Sequence, residues 1–322
     1  MSPPLLEVEA LDVHYPLPGG RTLRAVRAMS FSIAPGETLG LVGESGCGKS
    51  SLARALTGLV PVAGGRALLL GQPLTGLPPR RMRPLRRHLQ MIFQDPLAAL
   101  DPRMTIGQAI AEPLQALRPD LDARGRRAEV LRLMRQVGLQ PEWINRYPHE
   151  FSGGQCQRVG IARALAPEPR LLVCDEPVSA LDVSVQAQIV NLLLDLREAN
   201  SLAMLFIAHD LAVVKQLSHR VLVMYLGRTM ELAPTETLFA DPRHPYTRAL
   251  LDAVPRPHPR LERNRPRLTL SGDLPSPLDP PSGCPFHTRC PVAEPQCSRQ
   301  TPPLRQVAPG HQVACHLAGR MD

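Results

Sequence analysis

The sequence predicts an α/β fold: buried strands that lead into helices, a helical insertion within the chain, and a loop-rich C-terminal extension. Three observations carry this. The apolar runs at residues 38–42, 171–174 and 202–207 are short and continuous rather than alternating, as expected of strands covered on both faces. The first of them passes through a glycine-rich turn into a helix-like run at 51–59. Between them, residues 97–147 change to helical periodicity.

In chain order, residues 5–42 read as short β segments at 5–13, 29–33 and 38–42, with Tyr15 ending the first. Next come Gly43, Glu44, Ser45, Gly46, Cys47, Gly48, Lys49, Ser50 and Ser51. A tight turn there points successive backbone N–H groups inward, and the helix behind it adds a partial positive charge, so the loop is suited to phosphate oxygens. Lys49 would reach the terminal phosphates, and the Ser50 hydroxyl would ligate the magnesium ion that bridges them. An ordinary glycine-rich turn is the bland alternative, and the strand and helix on either side argue against it. Tyr15 suits an adenine-stacking role and a half-buried surface role equally well.

A turn at Gly64-Gly65 and strands at 66–70 and 89–93 follow, the second running into Gln94-Asp95-Pro96. In the helical block, Val130, Leu131, Met134 and Val137 are periodic and Gly138 is a stop signal. The block ends in Phe151 and then Ser152, Gly153, Gly154 and Gln155, a second glycine pair before a helix-like run at 156–165. By itself this pair is weak evidence for a second anion site. The strand at 171–174 ends in Asp175 and Glu176. Neighbouring strand residues point opposite ways, so Asp175 can approach magnesium while Glu176 orients or deprotonates a water. A helix at 183–199, a strand ending at His209 and a strand at 220–226 complete the core, and His209 lies where the ligand-binding edge of a parallel sheet is expected.

Composition narrows the class. The 322 residues are 43% hydrophobic, enough for a substantial core, and no apolar run approaches the roughly 18 residues that span a bilayer. The N-terminus lacks a secretory pattern, so a cytoplasmic protein is expected, with its seven cysteines as thiols or metal ligands. The net charge of +8 is almost all arginine, Lys49 and Lys215 being the only lysines. The cluster Arg80, Arg81, Arg83, Arg86 and Arg87 reads as a solvated face rather than a nucleic-acid track. Beyond residue 240 the last 82 residues hold 16 of the 36 prolines and four of the seven cysteines, which marks a distinct extension.

With these motifs in this order, the chain resembles the ATP-binding-cassette ATPases over essentially its whole length, and within them the ATP-binding subunits of dipeptide and oligopeptide importers, the second of the two such subunits being the better match. The resemblance implies a P-loop core with an antiparallel β subdomain and a helical subdomain at about 97–165, the cassette spanning residues 1–240 and the importer-type extension 241–322. It implies ATP and Mg2+ as ligands, with residues 43–51 as the Walker A loop and Tyr15 stacking on adenine. Gln94 becomes the Q-loop glutamine, also near the metal with Ser50 and Asp175. Residues 152–155 become the signature motif, 171–175 Walker B, Glu176 the catalytic carboxylate, 179–182 the D-loop and His209 the switch histidine. Two departures are Ser51, where threonine is commoner, and Cys156, where arginine is usual.

The extension carries Asp241-Pro242-Arg243-His244-Pro245-Tyr246-Thr247 and the run at 272–277, both similar to the tails of peptide importers. Cys284, Cys290, Cys297 and Cys315 lack the paired C-x2-C knuckles of structural zinc; four thiolates in a loop region suit a [4Fe-4S] cluster first, zinc second, and free thiols or a redox disulfide third. The partners implied are a homologous ATP-binding subunit, two membrane permease subunits and, indirectly, an extracytoplasmic solute-binding protein, at the cytoplasmic face of the inner membrane, with no nucleic acid. The rival classes are a soluble cassette ATPase working on nucleic acid or the ribosome, and a redox-sensing ATPase. The transported solute is not legible.

Overall fold

The computed structural model describes residues 3–253 and 273–319; Gly272 of the second tail motif and the proline-bearing stretch 254–272 lie outside the described residues. The strands are β1 (Leu6–Pro16), β2 (Thr22–Ile33), β3 (Thr38–Val42), β4 (Gly64–Leu69), β5 (Gln72–Pro73), β6 (Leu89–Ile92), β7 (Leu171–Asp175), β8 (Ala203–Ile207), β9 (Arg220–Tyr225), β10 (Arg228–Pro234), β11 (Arg305–Ala308) and β12 (His311–Val313). The helices are α1 (Lys49–Leu56), α2 (Pro79–His88), α3 (Ile106–Leu117), α4 (Ala123–Gln136), α5 (Gly153–Leu165), α6 (Val183–Asn200), α7 (Leu211–Leu217), α8 (Thr235–Ala240), α9 (Pro245–Ala253) and α10 (Pro295–Arg299).

Two sheets organise these elements. An eight-stranded sheet has the order β11-β12-β10-β9-β3-β8-β7-β6, and a four-stranded antiparallel sheet has the order β2-β1-β4-β5. In the larger sheet β6, β7, β8, β3 and β9 run parallel, and β10, β12 and β11 continue it in antiparallel fashion. The continuous apolar runs are explained by what lies on each face. Leu171, Val173, Leu205, Ile207, Leu222 and Met224 join the core shared with β1, β2 and α1, whereas Leu172, Cys174, Met204, Phe206, Val223 and Tyr225 join the core under α3 to α6. Alternate residues of one strand thus feed two different cores, so no position in the run is free to be polar.

The helical block forms because its helices carry both a buried stripe and a cap. Ile106, Ile110 and Leu114 line the inward face of α3, and the Thr105 hydroxyl caps it in a reciprocal box with Gln108. Asp122 caps α4 and Ser152 caps α5. The arginine cluster lies on α2, which buries Met82 and Leu85 and leaves its last-turn arginines facing outward.

One expectation needs revision. The tail reads as irregular, yet β11 and β12 extend the main sheet through pairing of Glu231 and Leu232 with Val313 and Gln312. The tail is further tied to β10 by Glu231, whose carboxylate is buried and accepts from the backbone N–H groups of Arg243 (2.7 Å) and His244 (3.0 Å) and pairs with His311 Nε2 at 2.7 Å. Its segments are too short to show periodicity, and they are ordered by long-range pairing instead.

Candidate active site

The site lies at the C-terminal ends of the parallel strands, where the turn after β3 meets the ends of β6, β7 and β8. Gly48, at the N-cap of α1, has φ +109°, and a Cβ there would lie 2.1 Å from the Ala25 carbonyl oxygen. Only glycine fits such a position, and the loop is thereby pressed against β2. Lys49 is 5% exposed, and its Nζ donates to the carbonyls of Gly43 (2.9 Å) and Glu44 (3.1 Å). Ser50 Oγ donates to Asp175 Oδ1 at 2.9 Å.

Glu176 follows β7 with φ +46°, in the left-handed region. Three groups then face it: Gln94 Nε2 donates to Glu176 Oε2 at 3.2 Å, Lys49 Nζ stands 3.9 Å from Oε1, and His209 Nδ1 stands 3.8 Å from Oε2. Burial pushes the Asp175 carboxyl above its ordinary value and the Glu176 charge adds to this, while the Ser50 hydrogen bond and the charges of Arg54 and Lys49 oppose it. A buried carboxylate beside a hydroxyl, with its charge disfavoured, fits a divalent cation that would relieve the penalty. Ser45, Gly46, Cys47, Gly48, Lys49, Ser50, Ser51, Gln94 and Glu176 line one cavity of about 240 Å³.

Other residues singled out from the sequence lie apart from this cavity. Tyr15 does not line it; its hydroxyl donates to Ser51 Oγ at 3.3 Å. Ser152, Gly153, Gly154 and Gln155 form the first turn of α5, where Ser152 Oγ accepts from Gln155 N–H and Gln155 Oε1 accepts from Ser152 N–H. The turn packs toward Leu181 and Val185, and Ser152 and Gly153 are exposed. Cys156 is fully buried behind it, its thiol donating to the Pro148 carbonyl. Sequence reasoning placed Tyr246 and Pro277 only in tail motifs and passed over Arg289; Pro277 also lines the cavity, and Tyr246 and Arg289 bond Glu44, each reaching the loop across more than 200 residues.

The four tail cysteines are unpaired. Burial pushes the Cys284 thiol up to about 12, and Cys315, Cys297 and Cys290 add to the shift, so the four are electrostatic neighbours. Yet among the described residues no three His, Cys, Asp or Glu side chains stand as an ion-holding group. Cys284, Cys290 and Cys297 pack on the main core, while Cys315 sits in a small cluster with Val313, Leu317 and Ala318.

Residues 26–179 match the family described as ABC transporter, and residues 230–297 match the family described as oligopeptide/dipeptide transporter, C-terminal region. The chain is 54% identical over 319 residues to the oligopeptide transport ATP-binding protein OppF of Escherichia coli (strain K12), covering 97% of this chain and 95% of that one. The chain belongs to the ATP-binding-cassette ATPases. A second relative, the putative oligopeptide transport ATP-binding protein YkfD of Bacillus subtilis (strain 168), is 52% identical over 314 residues, covering 98% and 95%. Among solved structures, the dimeric bacterial ABC transporter cassette MJ0796 superposes with a TM-score of 0.66 at 26% identity, covering 71% of this chain and 98% of that one. The cassette cbiO1 from Clostridium perfringens gives 0.65 at 27% identity, covering 74% and 92%. As a cassette ATPase the chain binds ATP with Mg2+ and hydrolyses it, and it carries the C-terminal region found in oligopeptide and dipeptide transporters. No described helix of this cassette ATPase is long and apolar enough to cross a membrane.

Proposed function

We propose that this ATPase energises the import of oligopeptides or dipeptides through membrane permease subunits. The observation that carries the reading is a relationship at 54% identity that runs through both the cassette and its importer-type tail. In this reading Lys49 and the N–H groups of residues 43–48 hold the phosphates. Ser50 and Asp175 hold the magnesium ion, which supplies charge neutralisation between the phosphates. Glu176 orients and deprotonates the attacking water, with Gln94 and His209 holding its carboxylate in place.

The residues at 152–155 stand outside this cavity, with Ser152 and Gly153 exposed and the turn packed toward Leu181 and Val185. That supports a head-to-tail pair with a homologous ATP-binding subunit, in which each signature turn serves the partner's ATP. The helical segment that follows Gln94 borders a groove of about 610 Å³ containing Phe93, Leu100, Pro113, Arg86 and Arg163, and we assign to it the contact with the permease. The complex then sits at the cytoplasmic face of the inner membrane, fed by an extracytoplasmic solute-binding protein. Residues 1–240 would act as the cassette and 241–322 as the extension. For the tail, the finer reading is four thiolates taking up a [4Fe-4S] cluster, with zinc second. Iron and labile sulfide after anaerobic purification support the first and zinc without iron the second, whereas neither metal leaves four free thiols.

Coexpression with the permease genes tests the main reading. The permease subunits are expected to co-purify, and Lys49→Ala is expected to abolish peptide uptake. Uptake that survives Lys49→Ala, or nucleic acid co-purifying in place of permease, overturns it.

A further inference from the structure

We infer that the C-terminal extension is part of the nucleotide site: Tyr246 and Arg289 are positioning residues that hold the phosphate loop in shape through Glu44. Glu44 is gripped at two points. Its backbone N–H donates to Tyr246 Oη at 2.9 Å, and its carboxylate accepts from Arg289 Nη1 at 2.7 Å. Those partners lie 202 and 245 residues away, both in the extension.

Neither partner is loosely held. Tyr246 is fully buried, and its ring packs with those of Tyr225 and Phe286 at centroid distances of 4.8 and 5.3 Å. Its backbone N–H donates to His244 Nδ1, and the His244 N–H donates in turn to the buried Glu231 on β10. Arg289 is 9% exposed and also reaches Tyr225 Oη on β9 at 3.4 Å. A third contact places the tail at the site itself: Pro277 lines the cavity with Lys49 and Ser50, and its carbonyl accepts from Arg27 at 3.3 Å.

The physical need is clear from the loop. With glycines at 43, 46 and 48 it has little side-chain packing of its own, and ordering each residue costs backbone entropy. A loop held in advance at both the N–H and the carboxylate of Glu44 presents its donors without that cost at the moment of binding. The charge-assisted contact matters most, because Arg289 is nearly enclosed and its guanidinium has few other places to go. The role is one of ground-state affinity rather than of chemistry, since neither side chain lines the cavity.

The inference rests on residues 43–51 binding ATP, and the test separates the two. In the full-length chain, titration with ATP and steady-state hydrolysis would be measured for wild type, Lys49→Ala, Arg289→Gln, Arg289→Lys, Tyr246→Phe, Glu44→Gln and the Glu44→Gln/Arg289→Gln pair. Arg289→Gln is expected to raise KM for ATP about tenfold with kcat within about twofold, Arg289→Lys to recover part of it, and the double variant to be no worse than the single. Tyr246→Phe, which keeps the ring, is expected to raise KM about threefold and serves alone should Arg289→Gln not fold. Unchanged KM in both tail variants, with only a lowered melting temperature, would mean the tail merely packs and overturns the inference. Additive losses in the double variant overturn it too. Equal ATP affinity in wild type and Lys49→Ala would instead overturn the underlying site.

Discussion

Gln94 donates to Glu176 across 3.2 Å, joining the strand end that opens the helical insertion to the carboxylate that follows β7, 82 residues further along the chain. A displacement of the insertion is therefore felt directly at Glu176, one hydrogen bond away from the proposed chemistry. Glu176 in turn faces Lys49 and His209, so a single carboxylate senses three segments of the fold.

The first prediction concerns that carboxylate. Glu176→Gln preserves the Gln94 contact through its amide oxygen but removes the base, so hydrolysis should fall by about 10²–10⁴ while ATP binding persists. Phosphate release and nucleotide titration on the same preparation check it, and a variant with wild-type turnover would remove Glu176 from this role.

Gly48→Ala should damage the loop from within. The φ of +109° and a Cβ position 2.1 Å from the Ala25 carbonyl force the loop away from β2. A stability loss of roughly 1–3 kcal/mol and loss of measurable ATP binding are expected, read by denaturant unfolding and nucleotide titration.

Asp175 opposes stability in order to serve the metal. Its folded-state carboxyl binds a proton more tightly than the ordinary value of 3.8, because burial disfavours the charge. The native state is thus favoured below that value and loses stability as pH rises through the raised folded value. Asp175→Asn should then melt at a higher temperature than wild type at neutral pH without nucleotide, with the pH slope flattened in that window and Mg2+-dependent hydrolysis lost. Thermal melts across pH, with and without Mg2+-ATP, check all three, and an unchanged apo melting temperature counts against the burial penalty.

His244 places a pH limit on the tail. Burial lowers it from the free value of 6.5 to about 4, against the opposing effects of Glu231 and the Ala314 carbonyl, so the fold holds it neutral with Glu231 on β10, His311 on β12 and Phe286 around it. Unfolded chain takes up the proton first, and stability should fall as pH drops from about 6.5 to about 4. His244→Asn keeps an acceptor for the Tyr246 N–H and cannot titrate, so its melting temperature should fall less over that interval.

What could be read from the residues, and what could not, divides along a physical line. The strand–loop–helix at 38–59, the carboxylate pair at 175–176 and the glycine pair that opens the helix after Ser152 are local: turn chemistry and periodicity act over a few residues and leave their mark in the sequence. The sheet order and the addition of β11 and β12 to the main sheet are set by which surfaces bury one another, and no short window encodes them. Cysteine spacing likewise leaves open whether Cys315 reaches the other three. The same holds for Glu44: as the second residue of a glycine loop it is unremarkable in the chain, and only the folded tail, bringing Tyr246 and Arg289 across more than 200 residues, turns it into the point where the extension grips the phosphate loop.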